Sequence, residues 1–162
     1  VERLRKILED PQYIRYQEWT RQWELERPYC HHNEQHFLDT ARIAWILVLE
    51  RGRSFRRDIV YAAAFLHDAA RWKEYGDGKY DHALESALLA APILQGAGFS
   101  MEEIEVISTA IAEHRRPPGD CASELGGILS EADKLSRRCW SCAASDGCRR
   151  YAQMATRSGP LY

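Results

Sequence analysis

The chain has six histidines, His31, His32, His36, His67, His82 and His114, and most of them fall at helix ends or on apolar faces. His36 opens HFLDTARIAWIL, His82 opens HALESALLA and His114 closes EVISTAIAEH. His67 and its neighbour Asp68 interrupt the apolar run AAAFLHDAAR, and a second carboxylate, Asp133, sits in the apolar-periodic ILSEADKL. A carboxylate on such a face is costly unless it is paired or bound to a metal. A lone core-facing histidine is ordinarily a satisfied structural residue. Several imidazoles and carboxylates recurring on core-side faces instead make a donor set that suits Mn, Fe, Co, Ni or Zn better than Ca. Consecutive helical residues diverge by about 100°, so His67 and Asp68 serve one site only if their stretch lines a cavity.

Three of the five cysteines cluster in CWSCAASDGC, as Cys139, Cys142 and Cys148. The first two form a CxxC, a common metal-chelating spacing, and an odd number of cysteines in an intracellular chain favours metal over disulfides. There is no GxSxG run and no P-loop, so neither a serine nucleophile nor a phosphate-cradling loop of those types is present.

These residues must be positioned by helices. Periodicities of three and four, broken by Pro and Gly, mark helices over residues 2–9, 13–26, 33–50, 55–70 (with Ser54 as N-cap), 81–94, 101–114 and 128–139. Ser100 and Glu103 form a capping-box pattern. Residues 72–80, WKEYGDGKY, read as a loop that could act as a lid. Tyr13, Tyr16, Trp19 and Trp23 make one aromatic face, read as packing surface. No strand alternation or repeat is visible, so the class is all-α, a compact single-domain helical bundle. Apolar content of 45% and charged content of 28% are those of an ordinary globular chain. A net charge of −2 argues against a general nucleic-acid or membrane surface. No apolar run reaches the roughly 20 residues that cross a bilayer, and VERLRKILED reads as a charged amphipathic segment rather than a signal peptide. The expected location is cytoplasmic.

With a His on one helix, a His-Asp pair on a later one and an Asp on a helix near the end, the chain resembles the HD-domain superfamily of metal-dependent phosphohydrolases. The matching residues are His36 in HFLDTARIA, His67-Asp68 in AAAFLHDAAR and Asp133 in SEADKLS. The resemblance implies an HD domain over residues 29–138, preceded by a helical segment at 1–28 that packs on its core and followed by a cysteine-containing tail at 139–162 in the same compact unit. It implies metal ligation by His36, His67, Asp68 and Asp133. His82 and His114 stand where many HD proteins carry two more histidines; if both coordinate, the site is dinuclear with Asp68 as the bridge. His32, in HNEQH, is expected beside the metal or facing substrate, with Asp68, Lys73 and His32 as the catalytic set. Lys73 and Arg71 are expected to bind phosphate, with Arg115, Arg116 and Arg137 as further candidates. Asp39, Glu74 and Glu85 are possible acids or bases that nothing singles out. His31 reads as plain surface.

If His36 and Asp133 meet at the metal and their helices run antiparallel, Cys30 and Cys139, each six residues away, are displaced about 9 Å in one direction. Cys30, Cys139, Cys142 and Cys148 are therefore expected to form a second site for a structural Zn, with an iron-sulfur cluster as the alternative. The functional expectation is phosphohydrolysis of a nucleotide or other small phosphate ester, through one or two divalent metals that acidify water and polarise a phosphoryl oxygen. The alternatives are an HD-fold diiron oxygenase and a non-catalytic metal-, nucleotide- or redox-sensing module. An oligomer is compatible with the N-terminal aromatic face.

Overall fold

The computed structural model describes residues 2–162. Among them are eight α-helices and no strand: α1 (Glu2–Leu8), α2 (Pro11–Glu24), α3 (Glu34–Glu50), α4 (Arg57–Leu66), α5 (Arg71–Asp77), α6 (His82–Ala97), α7 (Met101–Glu113) and α8 (Glu124–Leu135). Among the described residues, no helix is long and apolar enough to cross a membrane.

The starts are set by side-chain caps, which satisfy amides that have no partner inside the helix. Asp10 accepts from the amides of Gln12 and Tyr13, with Pro11 as the first helical residue of α2. Asn33 accepts from the His36 amide and so fixes the first turn of α3. The capping box expected of Ser100 and Glu103 opens α7. Gly52, at φ 61°, ends α3 in the left-handed conformation that suits glycine.

α4 is the central helix, packing on α1, α3, α6, α7 and α8. Ala62, Ala63 and Ala64 have no exposed surface, and their short side chains let the neighbours approach. The core they share includes Phe37, Leu47 and Val48 of α3, Leu94 of α6, Ile107 and Ile111 of α7, and Leu125 and Leu129 of α8. Of the aromatic stripe on α2, Tyr13 and Tyr16 are buried, Trp19 lies edge-on to Trp72 at 4.5 Å, and Trp23 is mostly exposed.

Three elements differ from the sequence reading. The helix expected over 55–70 begins after Arg56 without a side-chain cap and stops at Leu66, so Ser54 caps nothing and His67 to Ala70 form a turn. The segment read as a loop at 72–80 is mostly helix α5. Arg71 holds it together through Glu74 at i+3 and Tyr75 at i+4, and Gly78 at φ 70° closes it. The last helix starts four residues before the expected 128, capped by Ser123, and ends at Leu135. Two adjacent glycines hid that start. A Cβ on Gly126 would lie 2.6 Å from both Glu113 Oε2 and Ser123 Oγ, so the glycine serves close approach rather than a break.

α1 is fastened by Arg3, which donates to Asp58 Oδ2 of α4 at 2.6 Å and to Glu103 Oε2 of α7 at 2.5 Å. Glu103 is held below the usual carboxylate range by the hydrogen bond from Arg3. Burial pushes Asp58 the other way, but the hydrogen bond and charge of Arg3 outweigh it and lower it too. Both shifts are downward, so this stabilisation is present above the unfolded carboxylate pKa, about 4, and is lost as pH falls through the folded values. Arg3→Ala is expected to cost about 1–2 kcal/mol in urea melts at neutral pH, with the difference from the wild type shrinking below about pH 4. Equal stability of the two proteins at neutral pH would show the network to be idle.

Candidate metal centre

Five helix ends converge on one buried point. The first turn of α3 brings His36, the turn after α4 brings His67 and Asp68, the start of α6 brings His82, the residue after α7 is His114, and the last turn of α8 brings Asp133. His36, His67, Asp68, His82 and His114 are each at most 7% exposed. α3 and α8 are tied together along their lengths: His36 pairs with Asp133, and Arg51 and Arg53, just past the end of α3, reach Glu131 and Glu124.

The turn at His67 resolves the difficulty of two adjacent ligands. His67 donates from Nδ1 to the Ala64 carbonyl at 2.7 Å, capping a carbonyl the helix leaves open. Asp68 follows in the turn of residues 67–70, and its carboxylate faces the same cluster as the His67 ring. His114 repeats the device, donating from Nδ1 to the Ile111 carbonyl at 2.7 Å. A carbonyl only accepts, so both rings carry their proton on Nδ1 and keep the Nε2 lone pair for the site. His36 is oriented similarly: Ser136 Oγ donates to the Asp133 carbonyl at 2.7 Å and so accepts from His36 Nδ1 at 3.0 Å. His82 Nδ1 is bonded to the Glu74 carboxylate. Such partners, which fix tautomer and ring direction, are what metal-ligating histidines require.

Asp68 is the hub. Its Oδ2 lies 3.1 Å from His67 Nε2 and 4.0 Å from His36 Nε2. Its Oδ1 lies 3.1 Å from His82 Nε2 and 3.7 Å from His114 Nε2, and those two nitrogens are 3.3 Å apart. Asp133 Oδ1 lies 3.2 Å from His36 Nε2 and 3.7 Å from His67 Nε2. In the groups His36–His67–Asp133 and His67–Asp68–His114, the ligand atoms all lie within 4.8 Å of one another. The carboxylate thus offers one oxygen to each half of a six-residue cluster.

Two atoms in the cluster, His67 Nε2 and Asp68 Oδ1, are fully buried without a well-directed hydrogen bond. Each such atom costs about 1–3 kcal/mol if left unanswered. A divalent ion answers both, and nitrogen with carboxylate oxygen is the donor set of Mn, Fe, Co, Ni or Zn. The cluster therefore fits a divalent metal. Burial disfavours charge on His67, but Asp68 and Asp133 overcome it and push its pKa up to about 10, so a metal ligated by Nε2 would have to displace a proton there. Burial, reinforced by the Arg137 cation, pushes His36 down to about 3. Burial opposes charge on Asp133 as well, yet Arg137 and the two imidazoles hold it well below the usual range.

Of the other expected residues, His32 reaches the cluster, with Nε2 3.7 Å from Asp68 Oδ2. Arg71 lines the cleft above Asp68 together with Arg115, Arg137 and Arg150. Lys73 does not reach it. Two residues beyond Arg71 on α5, it points about 200° round the helix and bonds Glu85 Oε2 at 2.6 Å. His31 is exposed, and Asp39 bonds its surface neighbour Gln35.

Sequence reasoning missed Glu24 and Arg150. Glu24, only 2% exposed on α2, is bonded to His32 Nδ1, accepts from the His32 amide at 2.7 Å and accepts from Tyr75 Oη at 2.7 Å. Its position in a charged stretch, WELERP, gave no sign of burial. Arg150 lies in the weakly patterned tail.

A helical bundle whose helix ends gather a His/Asp cluster around a central His-Asp pair defines the class of protein. The family model for the HD domain matches residues 33–138, and the chain belongs to that family. A protein of Clostridium beijerinckii described as uncharacterized is 37% identical over 148 residues, covering 91% of this chain and 92% of its own. No solved structure matches significantly.

Manganese(II), a poor partner for thiolates, reads out the His/Asp cluster alone. Saturable binding is expected in the wild type and none in Asp68→Ala, by titration with the ion's paramagnetic signal. Undiminished binding by Asp68→Ala would remove the carboxylate from the centre.

Proposed function

We propose that this protein is a metal-dependent phosphohydrolase acting on a nucleotide or another small phosphate ester. The observation that carries the reading is the layering of charge. Asp68 and Asp133 lie within, and the cleft directly above them is rimmed by Arg71, Arg115, Arg137 and Arg150. A cationic rim over a carboxylate-histidine cluster is complementary to a substrate whose anionic oxygens face outward and whose reacting centre faces the metal. The cleft adjoins a cavity of about 400 Å³ that shares His32, Arg71, Asp133 and Arg137 with it, a volume suited to a small ligand rather than a polymer.

His36, His67, Asp68 and Asp133 would hold one ion, and Asp68 with His82 and His114 a second. Bound there, a divalent metal supplies activated water at neutral pH and polarises the phosphoryl oxygen. The chain's own residues do the rest. Arg71, bonded to Glu74 and Tyr75, presents a fixed guanidinium to the cleft. Arg137 donates to Asp133 Oδ1 at 2.8 Å and to His36 Nε2 at 3.0 Å. A metal held by His36 would take the Nε2 that this second contact occupies, leaving Arg137 on Asp133 in the cleft it already lines. His32 keeps its proton on Nδ1 against Glu24 and faces the cluster with Nε2, the arrangement of an oriented acid-base histidine. Tyr75 steadies the same carboxylate, so α2 and α5 together aim the ring.

A second reading, a diiron oxygenase, is favoured by the full set of six ligands about Asp68. The arginine rim distinguishes the two, since oxygen activation does not call for it.

The test is a panel of phosphate esters with Mn, Co or Ni, using protein purified without added metal. Metal-stimulated phosphate release is expected, absent in Asp68→Ala. Arg115→Ala and Arg150→Ala should each raise KM by about tenfold, the loss of one charge-assisted hydrogen bond, and Glu24→Gln should lower kcat more than it raises KM. Tightly bound iron with oxygen-dependent turnover, and no phosphate release, would replace this reading with the oxygenase.

A further inference from the structure

The tail after α8 has no α-helix; it is a succession of short turns at Cys139–Ser141, Ser145–Gly147, Tyr151–Gln153 and Ala155–Ser158. Only two of its side chains, Cys139 and Thr156, are buried. A segment of this length with so little apolar burial does not offset its own ordering entropy, which runs to about 1–2 kcal/mol per residue for the backbone alone. Something other than a core must hold it.

The candidate is written into the same segment. Cys139 and Cys142 bracket one turn, closed by the Cys142 amide donating to the Cys139 carbonyl at 3.3 Å, and the next turn ends at Cys148, whose amide donates to the Ser145 carbonyl at 3.1 Å. Cys30 comes from the opposite side of the chain, in the loop between α2 and α3. Tyr29 ties that loop to the tail, donating from Oη to the Gly147 carbonyl at 3.0 Å, one residue before Cys148. Cys30, Cys139 and Cys148 line the same cavity of about 400 Å³ that adjoins the cleft, and Cys30, Cys139 and Cys142 line a neighbouring one. After burial, the neighbouring Cys30, Cys142 and Cys148 are what hold the Cys139 thiol up. The fifth thiol, Cys121, is elsewhere, against the carbonyls of Glu113 and Pro117.

We propose that Cys30, Cys139, Cys142 and Cys148 bind a zinc ion as a four-thiolate structural site that pins the tail to the loop before α3. The CxxC opening is the spacing of structural zinc sites, whereas the close C-x2-C-x2-C run of bacterial ferredoxins is missing. On binding, each thiol releases its proton, and the cation with four thiolates carries a net charge of −2. Arg27, Arg137 and Arg149 line the Cys30–Cys139–Cys148 cavity and offset that charge. Because Arg150 follows two residues after Cys148 and reaches the cleft above Asp68, the zinc site also holds that arginine at the mouth of the His/Asp cluster.

The experiment separates this centre from the other by using Asp68→Ala protein expressed with ample zinc and purified without added metal. One zinc per chain is expected, falling towards zero in Cys142→Ser and Cys148→Ser and unchanged in Cys121→Ser. A thiol reagent should modify one cysteine in the native protein and all five after chelation. Replacement of zinc by cobalt should give the intense charge-transfer and visible bands of tetrahedral cobalt-thiolate. That spectrum, measured on the intact chain, decides the matter if the serine variants fail to fold. Iron with acid-labile sulfide, five freely reactive thiols with no zinc, zinc that survives Cys142→Ser and Cys148→Ser, or cobalt without thiolate bands would each overturn the proposal.

Discussion

The Asp68 carboxylate, 2% exposed at the centre of the bundle, is the constraint on which the rest of the structure depends. A charge so placed must be answered from within the protein, and the answer requires donors on all sides. Imidazoles of His32, His36, His67, His82 and His114 face it. Each of those rings needs an acceptor behind it to keep Nε2 pointed inward. Glu24, the Ser136 hydroxyl, the Ala64 and Ile111 carbonyls and Glu74 are those acceptors. The single inner charge thereby dictates two concentric layers drawn from α2, α3, α4, α5, α6, α7 and α8.

Helix ends are the natural place for such a cluster. Mid-helix carbonyls are taken by the helix, whereas the last turn leaves carbonyls open. His67 and His114 use them as ring anchors, and α4 stops at Leu66 with Asp68 in the turn just beyond it. The alanine run just before that stop lets α3, α7 and α8 come close enough for their own ends to meet there.

Outside the imidazoles the sign of charge inverts again. Arg71, Arg115, Arg137 and Arg150 close the cleft, and Arg137 reaches inward to Asp133 and His36. It is also within electrostatic range of Cys30, so one guanidinium stands between the His/Asp cluster and the thiols. The tail, poor in apolar burial, still places an arginine at the cleft, which makes its fastening matter to the rim as well as to stability.

By itself the sequence determined the all-α class, most helix positions and the family, because three-and-four periodicity and caps are local and because His36, His67-Asp68 and Asp133 occur in order in recognisable settings. The boundaries that failed, at Leu66, in α5 and at Glu124, are those where side chains from afar decide. His67 is turned towards Asp133, Glu74 is engaged by His82, and Gly126 is pressed against Glu113. The same reason explains the site. That histidines and carboxylates would matter was legible residue by residue. Which carboxylate oxygen faces which ring, that Glu24 is buried behind His32, that Lys73 turns away to Glu85 and that Arg150 arrives at the cleft were decided only by tertiary packing. Burial and pairing of a charge depend on residues tens of positions away, and no local pattern encodes them.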